Sequence, residues 1–165
     1  MPTITDTAPL TQTLGHLAER YAATAQESLG ENLTSVARGE ARPDSDIDLL
    51  VVCRELPVGA FRRQEVLEPV RERLQVELDR LWEQGCYTDF TEVIKSETEA
   101  QKTHLLYLDM TEEAVILFDR GEFFAGVLFR LRGRLRELGA QRKQLGRIRY
   151  WDLKPDFEPG EVIWL

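Results

Sequence analysis

The feature that most constrains this chain is residues 46–53, which have the sequence Asp-Ile-Asp-Leu-Leu-Val-Val-Cys. After its second acid the run is apolar on both alternating faces, which is typical of a strand buried in the middle of a sheet. Such a strand needs other strands beside it and packed layers on both of its faces. The run therefore predicts an α+β fold, an α/β sandwich in which helices flank a small sheet.

Other patterns in the sequence predict the helices and the strands that neighbour this one. Apolar residues at helical spacing predict three long helices, over residues 8–29, 60–84 and 121–139. β-branched and aromatic residues predict two more strands, over residues 86–94 and 113–118. A short helix is predicted to begin at Ser96, and the polar residues 31–45 are predicted to form a loop. In this order the elements give a small mixed sheet between helices, followed by a C-terminal helix and a tail.

The charges of the chain are unevenly distributed. The 165 residues include 21 basic and 29 acidic ones, for a formal net charge of −8. Residues 130–149, the basic segment, hold eight basic side chains and one acid, so they carry +7 and the rest of the chain −15. The acidic balance argues against a protein whose whole surface binds nucleic acid. Two interpretations of the basic segment stay open: a solvated face paired with the acidic body, or a surface that binds the phosphates of a nucleotide or an RNA.

The sequence also bears on the cellular compartment. The longest uncharged apolar runs, 49–53 and 114–118, are five residues each, whereas a membrane span needs about 20. The N-terminal residues lack the basic start and the apolar core of a signal peptide. Two cysteines, Cys53 and Cys86, are too few for a disulfide scaffold. We therefore expect a cytoplasmic protein without a membrane partner.

Asp46 and Asp48 open the predicted central strand. Because side chains alternate along a strand, the two carboxylates point to the same face, with Cα atoms about 6.6 Å apart. Carboxylates held in this way can share Mg²⁺ ions that also bind substrate phosphates, as in two-metal sites for phosphoryl transfer. The spacing therefore indicates a candidate metal site at the mouth of the strand.

Three other interpretations of the acidic stretch stay open. It can be a solvated Asp-rich turn, or the end of a strand that binds no ligand. A calcium loop would use Asp44, Asp46 and Asp48 at its first, third and fifth positions. That loop needs a Gly directly after the third acid, where this chain has Leu49, so the residue that makes the turn is absent.

The residues upstream make the acidic motif specific. Residues 35–52, with the sequence SVARGEARPDSDIDLLVV, resemble the signature of the DNA polymerase β-like nucleotidyltransferase superfamily, and most of all its minimal nucleotidyltransferase (MNT) type. That signature joins Gly-Ser, Ala-Arg-Gly and an Asp-x-Asp that enters an apolar strand, with a third carboxylate on a later strand. The resemblance implies a nucleotidyltransferase domain with a palm-type mixed sheet over residues 1–120. Residues 121–165 are then a basic helix and a Trp-containing tail packed on that domain.

The resemblance also implies roles for the matching residues. It makes three carboxylates catalytic metal ligands: Asp46, Asp48 and Asp89. It assigns nucleotide binding to three residues of the upstream segment: Ser35, Arg38 and Gly39. Glu92 is the alternative third carboxylate, but it lies three positions from Asp89 and points to the opposite face of the strand.

The implied activity is a transferase reaction that depends on Mg²⁺ or Mn²⁺. Such an enzyme transfers a nucleoside monophosphate, AMP from ATP, to a hydroxyl acceptor and releases pyrophosphate. Because MNT proteins are often antitoxins that modify a HEPN-type toxin, a HEPN-type protein is the partner that the resemblance suggests. Self-association of the chain is left open, and an RNA acceptor is only weakly supported.

One position departs from the family signature. Thr34 stands where the family has Gly, and only Glu31, Asn32 and Leu33 separate it from Gly30. No strand of useful length fits there, so we expect a sheet that lacks one strand and a phosphate loop without its Gly. The alternative function is therefore a catalytically impaired module that binds a nucleotide or a partner.

Overall fold

Four strands form one mixed sheet in the computed structural model, which describes residues 7–40 and 45–165. The strands are β1 (Leu33–Arg38), β2 (Ile47–Cys53), β3 (Phe90–Ser96) and β4 (Val115–Asp119). Their spatial order is β3-β2-β1-β4, with β2 parallel to β3 and β1 antiparallel to both β2 and β4. The predicted apolar strand is thus confirmed as an interior strand, paired on both sides. Asp44 lies outside the described residues.

Helices cover both faces of this sheet. They are α1 (Thr7–Leu29), α2 (Ala60–Glu83), α3 (Glu97–Ala100), α4 (Leu106–Glu113) and α5 (Phe123–Glu137). Alternate residues of β2 divide between two cores, with Leu49 and Val51 packed with α1 and α2, and Leu50 and Val52 packed with α4 and α5. The predicted α+β sandwich is therefore confirmed. In the described part of the chain no helix combines the length and apolarity that crossing a membrane requires.

The expectation of a missing strand is wrong. Residues 33–38, predicted as loop, form β1, which pairs with the Asp-bearing strand. The first five residues of β1, Leu33 to Ala37, show no alternation of polar and apolar side chains. The reason is that β1 is an interior strand and all five residues are buried. The register shifts between Leu33 and Ser35, so Thr34 occupies a bulge in the strand. The sheet is therefore complete without additional residues before Ser35.

The start of the short helix α3 is as predicted. The Ser96 hydroxyl accepts a hydrogen bond from the Glu99 amide at 3.3 Å, and the Glu99 carboxylate accepts one from the Ser96 amide at 2.9 Å. This reciprocal pair is a capping box, which satisfies two backbone donors at the helix start. The strand before it begins at Phe90, four residues later than the predicted start at residue 86.

The C-terminal part contains a hairpin that the sequence did not predict. Strands β5 (Gln141–Leu145) and β6 (Ile148–Asp152) form a separate two-stranded sheet around the turn at Gly146, which has a φ of 63°. Trp151 packs against the core beneath α4 and α5, and its indole nitrogen donates to Asp109 at 3.0 Å. Trp164, in contrast, is 75% exposed. The indole ring of Trp151 therefore packs on the body of the protein, whereas that of Trp164 does not.

Candidate active site

Two acidic segments lie side by side at one end of the sheet. In the parallel pairing of β2 with β3, Ile47 is opposite Phe90, so Asp46 and Asp89 each directly precede the paired residues. The Ile47 amide donates to the Asp89 carbonyl at 2.8 Å, and the Asp89 amide donates to Asp46 Oδ1 at 3.1 Å. The backbone ladder therefore places the predicted third carboxylate next to the Asp-x-Asp motif.

The three candidate carboxylates share one face of the sheet. Ile47 and Phe90 point into the core under α1 and α2, so the residues that alternate with them point the other way. That opposite face carries Asp46, Asp48 and Asp89, all of which are exposed. The Asp48 carboxylate accepts no hydrogen bond from the described residues, and Asp89 Oδ1 accepts only the Phe90 amide, at 2.8 Å.

Glu92, the alternative third carboxylate, is turned away from this face. Its side chain is only 5% exposed and accepts hydrogen bonds at 3.0 Å from both the Tyr21 hydroxyl and Arg71 Nε. Burial, and secondarily the Glu92 charge, raises the pKa of Tyr21 well above its ordinary value. The Glu92 carboxylate therefore belongs to a buried ion pair between β3 and α2.

The three candidate carboxylates are ligands of the type that a hard divalent cation prefers. Within residues 7–40 and 45–165 no three His, Cys, Asp or Glu side chains are gathered closely enough to hold a metal ion. Even so, Asp46, Asp48 and Asp89 are exposed carboxylates on one face, and none of the described residues donates a hydrogen bond to the Asp48 carboxylate. Carboxylate oxygens with open solvent access are the ligands that Mg²⁺ and Mn²⁺ take, together with phosphate oxygens and water.

A cavity of about 370 Å³ opens beside Asp48. Its floor is apolar and comes from β2 and β3, while α4 forms its opposite wall. Acids stand around it: Glu40, Asp48, Asp109 and Glu113. The volume lies in the range of small-molecule pockets, roughly 300–1,000 Å³. Of the three candidate carboxylates, Asp48 therefore borders a space that can hold part of a substrate.

Two of the three predicted nucleotide-binding residues lie at the same strand end. The Gly39 amide donates to the Asp48 carbonyl at 3.3 Å, which fixes the end of β1 against the start of β2. Arg38 lines a small recess together with Asp46 and Asp48. Its Nη1 donates to the Gly39 carbonyl at 3.1 Å, while its buried Nε meets no acceptor among the described residues. Arg38 therefore has an unused donor next to the carboxylates.

The third predicted nucleotide-binding residue, Ser35, is not brought to this end of the sheet. It pairs with Val52 and lies three residues, about 10 Å, before Arg38 along β1. Ser35 is 1% exposed, and its hydroxyl donates to Asp119 Oδ1 at 2.5 Å. Asp119 also accepts two amide hydrogen bonds from the first turn of α5. Ser35 is thus held where the sheet meets α5.

Basic residues of the hairpin, which belong to the basic segment, form ion pairs with the acids around the cavity. Arg149 forms ion pairs at 3.1 Å with Glu113 at the end of α4 and with Glu40 after β1. Arg142 lies 2.5 Å from Glu113 and 3.3 Å from Asp109. The hydrogen bond that Arg142 donates to the Glu113 carboxylate is the main cause that raises the pKa of Arg142. This part of the basic segment is therefore paired with the acidic body, as one of the two interpretations predicted.

Solved structures show distant similarity to the chain. A crystal structure of the toxin–antitoxin MntA-HepT is 13% identical with a TM-score of 0.44, and the match covers 75% of this chain and 92% of that one. A tri-AMPylated Shewanella oneidensis HEPN toxin in complex with MNT antitoxin is 12% identical with a TM-score of 0.42, covering 76% and 92%. A toxin–antitoxin structure with AMP-PNP is 12% identical with a TM-score of 0.44, covering 73% and 92%.

The family comparison concerns the segment that builds the site. No curated protein matches the chain. Residues 35–107 match the family model described as a nucleotidyltransferase domain. This segment contains β2, β3 and β1 from Ser35 onward, and with them every residue that the sequence motif singled out. The segment 35–107 is therefore similar to a nucleotidyltransferase domain, in agreement with the superfamily that its motif resembles.

Proposed function

We propose that this protein transfers AMP from ATP to a hydroxyl group of an acceptor and releases pyrophosphate. The observation that carries the proposal is the contact between the Asp89 amide and Asp46 Oδ1, at 3.1 Å. This contact holds the backbone of Asp89 beside the Asp-x-Asp motif, of which Asp48 borders the cavity. A nucleotidyltransferase site needs that combination of acids and open space.

Asp46, Asp48 and Asp89 are the residues that would hold Mg²⁺ or Mn²⁺. When bound, the metal supplies charge neutralisation for the triphosphate and for the attacking and leaving oxygens. Arg38 and Gly39 stand next to these acids, and the unused Nε of Arg38 can donate to a phosphate oxygen. The nucleoside is expected in the cavity, whose floor is apolar.

Asp89 has a second task in the proposed reaction. The acceptor oxygen forms a new bond to the α-phosphorus while the bond from that phosphorus to the β-phosphate oxygen breaks. The proton of the acceptor hydroxyl passes to the Asp89 carboxylate, and pyrophosphate leaves with the electrons of the broken bond. Asp89 can serve as this base because it is exposed and one of its two carboxylate oxygens accepts no hydrogen bond from the described residues.

The acceptor we propose is a hydroxyl of a HEPN-type protein. The resemblance of residues 35–52 to MNT proteins supports this choice, because such proteins often modify a HEPN-type toxin. We also propose residues 1–120 as the catalytic domain and residues 121–165 as a unit packed on it. The second part of this division is supported by α5 and Trp151, which share one core with the sheet.

The experiment is an AMP-transfer assay on a HEPN-type protein, with labelled ATP and Mg²⁺. We expect label on the HEPN-type protein with the wild type and loss of transfer by at least about 100-fold with Asp46→Asn plus Asp48→Asn. Glu65→Gln, which changes an exposed acid of α2, is the matched control and should transfer normally. Equal transfer by the double variant would refute the assignment of the two acids.

A second candidate function is a module that binds nucleotide without transferring it. It is favoured by Ser35, whose hydroxyl is committed to Asp119 and does not face the candidate carboxylates. Calorimetry with ATP and Mg²⁺ separates the two functions when it is combined with the transfer assay. Metal-dependent binding with no transfer to any acceptor supports the module, whereas binding with transfer supports the enzyme.

A further inference from the structure

A second cavity, of about 250 Å³, lies beyond α4 from the acidic one. It is formed between the segment that leads into α4 and one side of α5. Its polar lining is Gln101, Thr103, Tyr107, Arg130 and Arg134. No described Asp or Glu side chain lines it, in contrast to the cavity beside Asp48, although Leu165 at the end of the sequence also lines it. Because Arg130 and Arg134 are its charged side chains, the second cavity suits a negatively charged ligand.

Tyr107 gives this second cavity a buried donor. Its side chain is 0% exposed, and its hydroxyl finds no hydrogen-bond partner among the described residues. Edge-to-face packing against Phe124, with ring centroids 5.3 Å apart, holds the ring in place. Burial, and secondarily the Glu99 charge, raises the pKa of Tyr107 to about 12, so the hydroxyl keeps its proton at neutral pH. A buried hydroxyl without a partner is unfavourable unless a ligand accepts from it.

Arg130 and Arg134 add positive charge at the same place. They are four residues apart on α5 and therefore lie on one side of that helix. Arg130 forms no ion pair with any acid that the structure describes. Arg134 donates to the Trp164 carbonyl at 2.8 Å and to Glu137 at 3.1 Å, so its guanidinium is held in position. A free guanidinium and a nearby hydroxyl donor suit a phosphate better than a neutral ligand.

Glu99 is the nearby acid whose charge opposes such a ligand. Its carboxylate is already neutralised by Arg63, 2.8 Å away, and it accepts the Ser96 amide in the capping box. Glu99 therefore adds little net negative charge beside the second cavity.

We propose that the second cavity binds the phosphate group of a small molecule, with Arg130 supplying the charge and the Tyr107 hydroxyl donating to a phosphate oxygen. The cavity is larger than a phosphate and smaller than a typical drug-sized pocket, which limits the occupant to a compact phosphorylated compound. This site is separate from the proposed nucleotidyl transfer, because none of its lining residues borders the cavity beside Asp48.

The test is an NMR titration of the full chain with inorganic phosphate, in the presence of EDTA so that no metal–phosphate complex forms. We expect saturable shifts of amides in residues 101–107 and 127–134. Arg130→Ala should weaken the affinity by about tenfold or more, and Tyr107→Phe by several-fold, because each removes a donor to a charged group. Tyr107→Phe removes only an oxygen that has no described partner, so this variant should fold normally.

Two controls decide the outcome. Arg136→Ala removes an exposed arginine of the same helix that does not line the cavity, and it should bind phosphate like the wild type. Asp48→Ala should also bind normally, which separates this site from the proposed active site. The proposal is overturned if the wild type shows no saturable shifts, if the shifts map to residues 46–48, or if Arg136→Ala weakens binding as much as Arg130→Ala.

Discussion

The Ser35 hydroxyl lies 2.5 Å from Asp119 Oδ1, within the sheet and away from the strand end that carries Asp48. Because this hydrogen bond goes to a carboxylate that also caps α5, we expect Ser35→Ala to lower the free energy of unfolding by about 1–2 kcal/mol. The affinity for ATP with Mg²⁺ should not change. Urea denaturation and calorimetry measure the two quantities.

Ser28→Ala is the control for this prediction, since Ser28 is exposed on α1 and makes only a 3.4 Å contact to Arg73. It should be as stable as the wild type. A Ser35→Ala protein of unchanged stability that has lost its affinity for ATP would contradict the structural role and support the nucleotide contact that the sequence motif predicts.

Arg149 bridges Glu40 and Glu113 across the rim of the acidic cavity. Since the pairs are partly exposed, Arg149→Ala should destabilise the protein by only about 0.2–1 kcal/mol. Its main effect should be local, with faster hydrogen exchange of amides in the β5–β6 hairpin and unchanged exchange in β1–β4. Arg147→Ala, at the exposed turn of the hairpin, is the control. Equal exchange rates in both variants would argue against the bridge.

The charge of Glu99 makes the free energy of unfolding depend on pH. Hydrogen bonds from Arg63 and then from the Ser96 amide lower the pKa of Glu99 from 4.5 to about 2. Because the folded state has the lower pKa, the stabilisation is complete above about pH 4.5 and is lost as the pH falls toward 2. Since the side chain is 38% exposed, solvent screening reduces the stabilisation to on the order of 1 kcal/mol.

This dependence can be measured by unfolding the wild type and Glu99→Gln at about pH 6 and about pH 3. Gln keeps the capping acceptor and removes the charge. We expect the difference in stability between the two proteins to shrink at the lower pH. A difference that is the same at both pH values would show that the charge of Glu99 is not responsible.

Periodicity in the sequence predicted the long helices and β2, because each of them buries a regular set of side chains. β1 escaped prediction because it is short and buried on both faces, so its five core residues show neither alternation nor a helical stripe. The β5–β6 hairpin was missed because its residues are mostly polar and only partly buried.

Within the site, the parity of strand positions predicted that Asp89 and Glu92 lie on opposite faces of the sheet, and the structure places them so. The preference for Asp89 came from the family resemblance. The sequence did not predict how far Ser35 lies from the strand end that carries the candidate carboxylates. That distance depends on β1 continuing for three residues after Ser35. The pairing of Arg149 with Glu40 joins residues 109 apart in sequence, and only the folded chain brings them together.

The most direct test of the proposed site is to locate a bound Mn²⁺ ion by its paramagnetic broadening of backbone amide signals, in the presence of ATP. We predict selective broadening of residues 46–48 and 88–91, which is lost in Asp48→Asn. The acids on α4 offer a competing site, since Asp109, Glu112 and Glu113 lie along one short helix. Broadening centred on residues 109–113, or broadening at 46–48 that persists in Asp48→Asn, would contradict the assignment of the catalytic carboxylates.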